Sequence, residues 1–168
     1  MKRIVPIAVI GIGLLLLFGS GGWLYFDNLV SHPAAVSLPE QLAGLQMTSY
    51  ATGDQAAAEF ENLHGKQFPV TSGAIGMYGD YEITLWAAGT PLNFIASQMV
   101  YAMRDKISEG RSPFTPIGEF KDGGRTIYAL EGMGQKHFYF QSKNLVIWLA
   151  ADPAIADGAI QQILEAYP

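Results

Sequence analysis

No side chain between residues 4 and 26 carries a charge. A stretch of about 20 such residues is enough to cross the hydrocarbon core of a bilayer as a helix. Lys2 and Arg3 precede it, and Asp27 is the first charge after it. Positive charge resists translocation, so this asymmetry predicts a cytoplasmic N-terminus and an exported remainder. Trp23, Tyr25 and Phe26 fall at the outer end, where amphipathic rings settle among headgroups. The rival reading is a cleaved signal peptide, with its apolar region over 4–18 and Gly19-Ser20-Gly21 as the small-residue site. The missing Ala-x-Ala and the continuation of the run through Phe26 favour an uncleaved anchor over residues 1–26. Both readings export the rest of the chain.

Residues 27–37, with His32-Pro33, read as a linker, and 38–168 as one domain long enough to bury a core. A linker of that length reaches no more than ~35–40 Å, so the domain is expected to work close to the bilayer. Residues 45–51 alternate as a strand does. Residues 56–63 come next as a helix stopped by Gly65. Residues 73–78 and 81–88 predict a hairpin through Gly79-Asp80. Thr90-Pro91 reads as a helix cap with proline at the first helical position. Leu92, Ile95, Met99, Ala102, Met103 and Ile107 then repeat at the helical period until Gly110. Strands are predicted at 117–121, 125–130, 135–142 and 145–151, the first pair joined by Asp122-Gly123-Gly124. Asp152-Pro153 is a second cap, leading into the stripe Ala156, Ala159, Ile160, Ile163 and Leu164.

The segment Leu85-Trp86-Ala87-Ala88-Gly89-Thr90-Pro91 echoes Ile147-Trp148-Leu149-Ala150-Ala151-Asp152-Pro153. Each ends a hairpin and opens a helix, which suggests two ββα units. The fold class predicted is α+β: an antiparallel sheet with helices packed on one face, preceded by one N-terminal transmembrane helix.

Composition narrows the chemistry. The chain has 168 residues, is 49% apolar and 15% charged, and carries a net charge of −5. It is neither a disordered chain nor a basic nucleic-acid binder. With no cysteine there is no disulfide, thiolate metal site or thiol nucleophile. No zinc-protease motif, P-loop, serine elbow or dinucleotide fingerprint occurs. The glycines between 110 and 134 read as strand turns. Glu59 and Glu61 diverge on their helix, and Asp105 and Glu109 share a solvated face.

Three groups of candidate residues remain. Ala8, Gly11, Gly19 and Gly22 lie near one face of the anchor, where small residues let a partner helix approach. Trp86, Tyr139 and Trp148 head a concentration of strand aromatics and are candidate binding residues. His64, Met133 and His137 have the ligand chemistry of a soft, copper-type metal site. With period two, His137 shares a face with Tyr139, opposite Phe138 and Phe140.

These signals predict a membrane-anchored extracytoplasmic binding or interaction domain, an accessory or assembly subunit of a membrane complex. The expected partners are the lipid bilayer and a membrane protein, with no nucleic acid and no cofactor. An enzyme is the less favoured class. The alternative is an envelope metal-binding protein or a hydrolase using His64 and His137, and it requires those histidines to converge in a cleft.

Overall fold

A computed structural model describes residues 4–31, 35–64 and 70–168. His32, Pro33, Gly65, Lys2 and Arg3 therefore lie outside the described residues. The chain divides into two units, Met1–Pro33 and Ala34–Pro168.

The first unit is a single helix, α1 (Ile4–Ser31), long and apolar enough to cross a membrane. It runs beyond the expected end at residue 26, so part of the expected linker is helical. Among the described residues nothing lies within 4 Å of where a Cβ would stand at Gly11, Gly19 or Gly22.

The second unit is α+β. Its strands are β1 (Gln41–Leu42), β2 (Leu45–Thr52), β3 (Ser72–Tyr78), β4 (Ile83–Gly89), β5 (Thr115–Asp122), β6 (Arg125–Gly132), β7 (Gln135–Ser142) and β8 (Leu145–Ala151). They form one antiparallel eight-stranded sheet in the order β1-β2-β3-β4-β8-β7-β6-β5. Its helices are α2 (Gly53–His64), α3 (Asn93–Ser108) and α4 (Ala156–Ala166). Two contiguous runs of strands, β1–β4 and β5–β8, meet where β4 pairs with β8.

Trp86 stands directly opposite Trp148 at the middle of that seam. The echo extends outward from this pair. The Thr90 amide donates to the Asn144 carbonyl at 2.9 Å, and the Asp152 amide donates to the Glu82 carbonyl, also at 2.9 Å. The strands and their exits are thus related by a local twofold normal to the sheet.

The helices break that relation, and the expectation of helices on one face is corrected. Strand residues alternate between faces. Ile83, Leu85, Ala87, Ile147, Leu149 and Ala151 cluster with α4. Ile75, Ala88, Val146 and Tyr139 cluster with α2 and α3 on the opposite face. A twofold normal to a sheet keeps each face on its own side, so the two ββα segments do not superpose as wholes. Both faces of the sheet carry apolar side chains, and both need cover.

The α4 stripe is buried as its periodicity predicts. That of α3 is rotated: Ala96 and Val100 are buried with Met99 and Ile107, while Ala102 is exposed. The caps also differ from expectation. The Thr90 hydroxyl donates to the carbonyls of Leu92 and Asn144, both at 3.0 Å, and α3 starts only at Asn93. Asp152 receives the amides of Ile155 and Ala156 on its backbone carbonyl, and α4 starts at Ala156. At neither helix start does a side chain accept a capping hydrogen bond. Gly110, in the left-handed region at φ 72°, ends α3 where the sequence places it.

Candidate functional site

The face carrying α2 and α3 is not fully closed. A cavity of about 510 Å³ opens there, within the range of small-molecule sites. Its floor is the seam: Trp86 and Ala88 from β4, and Val146, Trp148 and Ala150 from β8. Met99 and Met103, one helical turn apart on α3, form one wall, and Phe60 of α2 and Val70 another. Phe114, Met133, Gln135 and His137 complete the rim. No charged side chain is among the described lining residues.

Local sequence explains the walls. Gly132 has no side chain, so Phe114 packs against its backbone; a Cβ there would fall 2.6 Å from the Phe114 ring. Phe114 then meets the rings of His137 and Trp148 edge-on, with centroids 4.7 and 5.1 Å apart. Gly73 does the same for Phe60, whose ring fills the place its Cβ would take. Met133 sits at the tip of the β6–β7 hairpin with φ 55°, an unusual conformation for a side-chain-bearing residue, and is 80% exposed.

The polar groups of His137, Trp148 and Gln135 are held by the protein itself. The Trp148 indole N–H donates to His137 Nδ1 at 3.2 Å. The other ring nitrogen, Nε2, must then carry the proton, and it lies 3.0 Å from the Gly132 carbonyl it donates to. Burial holds the His137 pKa below its ordinary value, partly offset by the Gly132 hydrogen bond. The Gln135 amide nitrogen is shared among the carbonyls of Tyr81 and Glu82 and the Asp152 carboxylate, at 3.2–3.3 Å.

The candidate residues separate accordingly. Trp86, Trp148, Met133 and His137 come together around one cavity. Tyr139 does not line it: at 1% exposure it is stacked between Tyr128 and Trp148, at 4.9 and 5.2 Å, and flanks the floor on the same face of the sheet. Burial pushes its phenol pKa well above the ordinary value. The side chain of His64 lies outside the described residues. Both nitrogens of His137 are hydrogen-bonded, so a metal would have to displace Trp148 from it. Among the described residues no three His, Cys, Asp or Glu side chains gather as a metal site would require.

The sequence reading missed Phe60, Phe114 and Gln135, and took Met99 and Met103 for core alone. One signal was available: Phe114 is an aromatic flanked by Pro113 in a segment with no periodicity, an unusual residue for a loop that is merely a connection. Compared with known protein families, characterised proteins and solved structures, the chain matches none.

Proposed function

We propose that the chain is a single-pass membrane protein, N-terminus in the cytoplasm, whose exported domain is a binding module serving a membrane complex as an accessory subunit. Its ligand is an apolar small molecule held in the cavity over Trp86 and Trp148. The observation that carries this reading is the described lining: aromatic, aliphatic and methionine side chains, with His137, Trp148 and Gln135 paired within the protein and no charged side chain among the described residues. Methionine thioethers adapt to ligand shape better than branched side chains do. Catalysis has no comparable support, because the histidine among the described lining residues, His137, spends both nitrogens on Trp148 and Gly132. The length and composition of α1 support anchoring.

Photolabelling tests this. The full chain is placed in lipid nanodiscs doped with a diazirine-bearing acyl lipid, irradiated and digested. Label on the α3 peptide containing Met99 and Met103 is expected. Label confined to α1 would show that the cavity takes no apolar ligand.

A further inference from the structure

We infer that the cavity selects a neutral acyl ester, and that the Trp86 indole N–H is the donor for the ligand's carbonyl oxygen. This rests on the reading of the cavity as a binding site and adds the class of molecule it takes.

The inference comes from the paired tryptophans. They face each other across the seam on the same side of the sheet, yet their polar atoms fare differently. Trp148 gives its N–H to His137. His137 lies opposite Ala150 on β7; the matching place beside Trp86 lies opposite Ala88 on β3 and is Gly73. Glycine offers no acceptor, and the Phe60 ring occupies the space above it. Among the described residues nothing accepts a hydrogen bond from the Trp86 indole.

Trp86 is half-buried, so water can reach that N–H while the cavity is empty. A ligand that fills the cavity removes the water. If it brings no acceptor, a desolvated donor is left unpaired, which weakens binding. An oxygen acceptor on the ligand restores the bond. The acceptor is also constrained in charge. Among the described residues no Lys or Arg lines the cavity, and a carboxylate is far harder to desolvate than an ester carbonyl. An apolar chain with a neutral carbonyl satisfies both conditions, whereas a free fatty acid meets only the first and an alkane only the second.

Equilibrium binding decides it, using the full chain held in a lipid-free amphipathic polymer and three radiolabelled probes: methyl palmitate, palmitate at pH 8 and hexadecane. The ester should bind about 3- to 10-fold more tightly than hexadecane, the value of one net hydrogen bond, and more tightly than the carboxylate. Trp86→Phe should bring the ester down to the affinity of hexadecane and leave hexadecane unchanged. In protein labelled with nitrogen-15 at tryptophan, one indole N–H resonance should move downfield with the ester and stay in place with hexadecane. Equal binding of ester and alkane, tighter binding of the carboxylate, or equal weakening of both neutral probes by Trp86→Phe would each overturn the inference while the cavity stands as a binding site. Binding of none of the three would instead remove the reading it rests on.

Discussion

His137 is buried and neutral, and its single acceptor atom is spent on Trp148. Protonation would set N–H against N–H and move the tryptophan off the floor of the cavity. Because the folded pKa lies below the unfolded value of 6.5, the unfolded chain binds the proton more readily. The stability linked to His137 is therefore complete above about pH 6.5 and is lost as pH falls through the folded pKa. His137→Gln should remove this component: urea midpoints at pH 7.5 and 5.5 should differ less in the variant than in the wild type. An unchanged difference would mean that His137 does not titrate there. Met133 presents the opposite case. Its left-handed backbone suits glycine, so Met133→Gly should leave stability within about 0.5 kcal/mol, the relief of strain offsetting the added chain entropy. Retention of an apolar probe should nevertheless fall, because part of the rim is gone. A loss of stability above 2 kcal/mol would show that the thioether is structural.

At the scale of elements, α4 is secured from its C-terminal end. The Arg125 guanidinium donates to the Leu164 carbonyl at 2.8 Å and to the Tyr167 carbonyl, while Asp122 holds it from the other side at 2.8 Å. The group lies 4.9 Å above the Phe140 ring. A cation at this end answers the carbonyls that the last turn leaves unpaired. The Tyr167 hydroxyl in turn donates to the Ser37 carbonyl at 2.6 Å, and burial pushes its pKa up to about 12. Arg125→Met keeps much of the contact with Phe140 and removes the donors, so it should cost about 1.5–3 kcal/mol in chemical unfolding. A cost below 0.5 kcal/mol would assign α4 to its apolar stripe alone. The hold on α4 was not legible in the sequence, because Arg125 and the carbonyls of Leu164 and Tyr167 are about forty residues apart and no local periodicity links them. The stripe Ala156, Ala159, Ile160, Ile163 and Leu164 was legible in full, since every contact it needs falls on one helical face. The rotation of α3 was not, because it depends on which strands the helix packs against. The two-residue strand β1 is too short to leave an alternating pattern.

For the whole molecule, patterning led to α+β and to the antiparallel hairpins, because alternation and turn residues are local. It failed on which face each helix covers. Trp86 and Trp148 stand in matching sequence contexts, and only the path of the chain after Pro91 and Pro153 sends α3 and α4 to opposite sides. The cavity was half visible: Trp86, Trp148, His137 and Met133 were each marked as candidates. Their meeting required the β4–β8 register. If α1 is an uncleaved anchor, the chain should stay in the pellet after alkaline carbonate extraction of membranes. Release as a species beginning at Gly22 or Trp23 would show a processed leader.

The seam between β4 and β8 also has a kinetic meaning. The strands of β5–β8 succeed one another directly, so their pairings close over short loops, and β3–β4 is likewise a hairpin. Joining the two runs requires Trp86 to find Trp148 far along the chain, and loop-closure entropy opposes that step until the apolar floor is buried. Closure of the seam should therefore be the slow event of folding, and it assembles the floor of the cavity. Leu149→Ala, on the far side of the seam from the cavity, should slow refolding more than it speeds unfolding. Ile163→Ala, in a helix that docks afterwards, should do the reverse. A molecule that binds over the tryptophan pair would then slow the parting of the two halves, so occupancy should be readable as a longer unfolding lifetime.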